Sequence, residues 1–176
     1  MAAEVTVMAG DVRRLMAAEG GPLEREGLVK RVNGALSSLP LLLRRANGDP
    51  LPVVAMRASS ARGDWRGLAA ALATLKRQYP FDARALLPVS PTPEMLALGA
   101  SIHRTTCAGC HDAASADSLL PAKNLAAQQK SMPREEFAAR LLLGVRGDRM
   151  TGLRNPFSDV ELAALIAHYS APGRAH

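Results

Sequence analysis

The sequence predicts an all-α protein, on three observations. Alanine and leucine dominate while aromatic residues make up only 3% of the chain, so the β-branched and aromatic runs that build strands are nearly absent. Apolar residues recur at helical spacing through several segments, each opened by a capping residue or a proline. With 176 residues and 48% apolar content, the chain can bury a core without a metal or a disulfide, as one domain or as two small ones.

Local signals place each element in turn. Residues 10–19 (GDVRRLMAAE) form a short helix that Gly20 and Gly21 end, and Pro22 opens a longer apolar-periodic segment over 23–46, which Pro40 is expected to bend or split. Residues 47–64, rich in Gly, Pro, Ser and Asp, read as an extended loop. Asp64 is an N-cap for WRGLAAALATLKRQY (65–79), which stops before Pro80. The stretch LLPVSPTP (86–93) holds three prolines, which places a helical domain over 1–86, a Pro-rich linker over 87–93 and a second domain over 94–176. Thr92 and Pro93 then start a helix running through CAGCH to residue 111. A loop over roughly 113–131 comes next; Pro133 and Glu135 open REEFAARLLLGV, and Ser158 with Glu161 makes a capping box for DVELAALIAHY.

Composition narrows the function. A net charge of +6 and a pI near 10.0 favour acidic partners. The basic residues are scattered, as in VRR (12–14), VKR (29–31) and LRR (43–45), without aromatic interleaving, which argues against nucleic-acid binding. The most apolar stretch, LSSLPLLL (36–43), is short and carries Pro40, so no membrane span is expected. MAAEVTVMAGD lacks the basic start and apolar centre of a signal peptide, leaving either a cytosolic protein or a mature form whose leader was removed.

The chemistry concentrates in TTCAGCHDAA (105–114), which holds both cysteines of the chain. Residues three apart on a helix share a face, so the sulfurs of Cys107 and Cys110 can reach two neighbouring points on one flat object, as the two vinyl groups on a haem edge are. His111 is then carried beneath the macrocycle, where an imidazole nitrogen can bind iron; this is the haem-attachment reading of C-x-x-C-H. A thioredoxin-type dithiol belongs at a helix start after a strand, whereas this motif ends a helix in an all-α setting. Structural zinc needs four ligands, and beyond the motif the chain offers only His103, His168 and His176 as singletons. Iron held by His111 needs a second axial ligand. Met132 sits at the start of a helix whose apolar face is needed for packing, while Met150 lies in GVRGDRMTGLRNPFS between two helices and is the favoured ligand.

The run from Thr92 to Tyr169 resembles a class I cytochrome c: a helix ending in CAGCH, then PAKNLA, a helix ending LLLGVRG, a methionine, and a closing FSDVELAALIAHY. The resemblance implies a cytochrome c fold for the second half and one haem c per chain. Cys107 and Cys110 would be thioether-linked, His111 and Met150 would be the axial iron ligands, and Pro121 would lie near the histidine, its carbonyl orienting the imidazole. The first half lacks C-x-x-C-H, yet a shift of 94 residues pairs Met56 with Met150, Asp64 with Ser158 and LAAALA (68–73) with LAALIA (162–167). The whole chain thus resembles two-lobe diheme cytochromes c of the bacterial periplasm with a haem-less first lobe, in which Met56 is a core residue; the other possibility is an unrelated helical extension.

Histidine and methionine together saturate the iron, so the expected activity is one-electron transfer and not enzymatic turnover. A thioether ligand and an apolar pocket raise the reduction potential. The protein would act as a mobile carrier or as the cytochrome subunit of a dehydrogenase, with the haem-free half as docking surface and an acidic redox protein as partner. If Met150 does not ligate, a five-coordinate haem sensor or small haem enzyme is the alternative. Covalent attachment outside the cytoplasm implies the periplasm or its equivalent, with the leader removed.

Overall fold

The computed structural model describes residues 1–112, 121–144 and 156–171; their regular structure is helical, with no strand among them. The expected all-α class is observed. Contacts divide the chain into two compact units, Met1–Phe81 and Asp82–His176. The Pro-rich stretch 87–93, expected to link two domains, therefore lies inside the second unit. Just before it, a 3-10 turn over Arg84–Leu86 buries Leu86 and packs on the last helix.

The first unit holds α1 (Ala2–Met16), α2 (Pro22–Arg45), α3 (Pro52–Ala61) and α4 (Trp65–Gln78). Helix α1 starts eight residues before the expected position 10, because Val5, Val7 and Met8 are buried and packing overrides the modest helix propensity of valine. One core joins Val5, Met8, Val12 and Leu15 of α1 to Leu36, Leu39 and Leu43 of α2, Met56 of α3 and Leu68, Leu72 and Leu75 of α4. Asp11 is fully buried and ion-paired with Arg31, with Arg14 3.7 Å away. Asp64 caps α4 as expected, its Oδ1 accepting the Gly67 N–H at 2.9 Å.

The split at Pro40 and the loop at 47–64 are not observed. Pro40 does not split α2, although it removes an N–H and leaves the Leu36 carbonyl without its helical donor. Arg57 repairs the loss from α3: its Nε and Nη2 donate to Leu36 O at 3.2 and 3.0 Å, and Nη2 reaches Ser37 O at 3.2 Å. Nor is 47–64 an extended loop, since Pro52 occupies the first turn of α3, where its missing N–H is harmless, and Val53, Met56 and Ser60 are buried.

The second unit holds α5 (Pro93–Ile102), a π-helical segment (His103–Cys107), α6 (Ala108–His111), α7 (Leu125–Ser131), α8 (Arg134–Leu143) and α9 (Asp159–Ser170). Helix α7 falls in the region expected as loop; Asn124 caps it, with Oδ1 accepting from Ala127 N at 2.9 Å. Thr92 and Ser158 cap α5 and α9 as expected, and Ser158 with Glu161 forms the capping box. Helix α9 is buried all round from Leu162 to Tyr169, enclosed by α5, the 3-10 turn, α7 and α8. Gly99 sets the α5–α9 crossing, because a Cβ there would collide with the Ala164 backbone and lie 2.8 Å from His168 Cβ.

Each unit packs its first helix on its last, α1 on α4 and α5 on α9, as its most extensive helix pairing. The 94-residue shift carries Val5 to Gly99, Met8 to Ile102, Leu68 to Leu162, Leu72 to Ile166 and Leu75 to Tyr169, and all ten positions are buried.

Candidate functional site

The motif begins where α5 widens into a single π-type turn. The Ala108 N–H reaches back five residues to His103 O, and Thr105 Oγ1 donates to Ser101 O at 3.0 Å. A π turn adds a residue to the helix and rotates the next turn about the axis, a device found often at functional sites. Beyond it, the four residues of α6 carry Cys110 and His111.

Cys107 is half-buried and Cys110 exposed, and both are free thiols. Burial pushes the Cys107 thiol above its ordinary pKa. His111 is half-buried, and its Nδ1 lies 2.7 Å from Lys123 O. A carbonyl only accepts, so Nδ1 carries a proton, and in the neutral ring Nε2 is the nitrogen that can bind a metal. The orienting carbonyl belongs to Lys123, two residues beyond Pro121, to which the resemblance assigns that role; Pro121 itself is exposed. Met132 is buried at the α7–α8 junction, and Met56 lies in the core of the first unit. Met150 lies outside the described residues.

Three residues that sequence reasoning did not assign to the site, His103, Asp112 and Tyr169, link the motif to α9. His103 Nδ1 is 2.9 Å from Tyr169 Oη, His103 Nε2 is 2.9 Å from Asp112 Oδ2, and the Tyr169 hydroxyl also meets the Cys107 thiol. Asp112 as carboxylate accepts from Nε2–H of His103, so His103 sits between the carboxylate and the Tyr169 hydroxyl. Burial, followed by the neighbouring Cys107, pushes the Tyr169 phenol well above its usual range. The His168 ring lies 5.3 Å from that of His103, tilted by 32°. A cavity of about 310 Å³ opens on this side, lined by His103, Arg104, Ala108, Asp112, Asn124 and Tyr169 among others; neither Cys110 nor His111 lines it. One signal for His103 is legible in the sequence, its position one turn before Cys107; nothing local announces Tyr169.

Among the described residues no three His, Cys, Asp or Glu side chains gather to hold a metal ion on their own. Comparison with protein-family models, with curated proteins and with solved structures finds no match to the chain.

Proposed function

We propose that the second unit carries one covalent c-type haem and that the protein transfers single electrons outside the cytoplasm. The observation that carries this reading is the fixed tautomer of His111: the Nδ1–H bond to Lys123 O leaves Nε2 available on the short helix that also holds the free thiol of Cys110, with that of Cys107 just before it. A haem-ligating histidine needs this kind of second partner to set its ring orientation and basicity. The residues therefore fit the group. Cys107 and Cys110 would hold it by thioether links, and His111 would be one axial ligand. When bound, the haem supplies a one-electron couple between ferrous and ferric iron.

The chain's own residues do the rest. Lys123 O holds the imidazole, while the Tyr169–His103–Asp112 chain ties the residues flanking the motif to the buried helix α9. Met150 is proposed as the second axial ligand, which would leave no iron site for substrate. The cytochrome c likeness of the second unit, and the reading of the first as a lobe that lost its haem, rest on the shared first-on-last helix pairing and the coincident buried positions at a 94-residue shift. A basic chain fits an acidic redox partner, met either as a mobile carrier or as part of a dehydrogenase complex.

Visible spectra of the chain, matured where haem is covalently attached, test this. One haem per chain in alkaline pyridine, a methionine-sulfur charge-transfer band and no reaction of the reduced form with carbon monoxide support the saturated carrier. Absence of covalent haem overturns it, and ready carbon monoxide binding moves the function to sensing or catalysis.

A further inference from the structure

The first unit presents an apolar groove of about 280 Å³ between α2 and α3, lined by Pro40, Arg44, Pro50, Leu51, Val54 and Arg57 with buried Val53 behind them. Leu51 is 73% exposed and Val54 69%, and Leu41, next to Pro40, is 58% exposed. Isolated exposed apolar residues are ordinary, but here Leu51 and Val54 share one concave site.

The charge around the groove has one sign. Arg44 and Arg57 are its charged lining residues, and no carboxylate lines it. Asp49 is turned to the backbone, its Oδ1 accepting the Leu51 N–H at 2.9 Å. The surplus is regional as well. Residues 1–81 hold twelve Lys and Arg against seven Asp and Glu, a net +5, whereas residues 82–176 hold ten against nine, a net +1. The bonds of Arg57 to Leu36 O and Ser37 O also hold its guanidinium in place beside the groove, so little further ordering is needed when an anion meets it.

We infer that this groove docks an acidic amphipathic segment of a partner protein, with one leucine- or isoleucine-sized side chain seated between Pro40 and Val54 and flanking Asp or Glu side chains on Arg44 and Arg57. The volume matches one or two large apolar side chains, and a concave site fits a side chain from a protein segment better than it fits the plane of a bilayer. The groove lies wholly within the first unit and owes nothing to haem in the second.

Isothermal titration calorimetry on the full chain, with and without covalent haem, tests the inference. The probes are a roughly 16-residue amphipathic Leu/Glu helix and the same peptide with Lys for Glu. The acidic peptide is expected to bind at least about tenfold more tightly than the basic one and to weaken several-fold between about 20 and 200 mM salt. Arg44→Glu and Val54→Asp, both at exposed positions, should each weaken binding by about tenfold or more with the thermal midpoint unchanged. Equal binding of the two peptides, or binding insensitive to both substitutions, overturns the inference. Two further results do the same: Val54-dependent sedimentation with anionic phosphatidylglycerol vesicles but not with the peptide, or a Val54-dependent dimer by sedimentation velocity. None of these readouts depends on electron transfer, so failure here leaves the haem reading standing.

Discussion

The two units build the same first-on-last helix pair and use it for opposite ends. In the first, α1 buries Val5, Met8, Val12 and Leu15 in succession and closes against α4. In the second, the matching helix buries Gly99 and Ile102 and then departs: Thr106 and Gly109, which stand where Val12 and Leu15 would fall, are exposed. Packing in the first unit is completed by side chains. In the second, the same stretch is given to Cys107, Cys110 and His111. A helix turn holds either a core residue or one that faces solvent, and full burial stops after Ile102, where the π turn begins.

The sharpest way to break this comparison is to remove the thiols. Cys107→Ala with Cys110→Ala should leave the chain with no covalent haem by mass spectrometry; covalent haem remaining on the chain would overturn thioether attachment at the motif, because these are its two cysteines. The next effect is in that unit. Arg31→Met leaves the buried Asp11 without its main partner and should cost about 3–5 kcal/mol in urea unfolding followed by the single tryptophan, Trp65 of α4. Gly99→Ala drives a Cβ into the Ala164 backbone and should cost about 1–3 kcal/mol, read as faster hydrogen exchange of α9 amides.

Tyr169 gives a pH effect confined to the second unit. Its folded phenol titrates above the unfolded value near 10, so the stabilisation is present below about pH 10 and declines as the pH rises beyond it, because only the unfolded chain readily loses the proton. Tyr169→Phe should flatten that alkaline decline in a thermal-midpoint series; an unchanged slope would assign the decline to other groups. The smallest effect is a gain. Gly34 sits on an exposed part of α2 with open space about it, so Gly34→Ala should stabilise the first unit by about 0.5–1 kcal/mol in the same urea assay.

What the sequence determined by itself is what neighbours in the chain decide. Asp64, Thr92 and Ser158 cap helices because a side chain three residues away from an N–H needs no other part of the fold, and the C-x-x-C-H spacing of Cys107, Cys110 and His111 is legible in five consecutive residues. The tertiary structure decided the rest. Pro40 reads as a break because its loss is local, but the remedy comes from Arg57, about twenty residues on. Helices α3 and α7 were hidden by prolines and polar residues that mark a loop in isolation and a helix start once packing is available. His111 receives its orienting carbonyl from 12 residues away, and His103 finds Tyr169 across 66 residues. Contacts at such separations depend on how helices cross, and at α5–α9 that crossing turns on the missing side chain of Gly99.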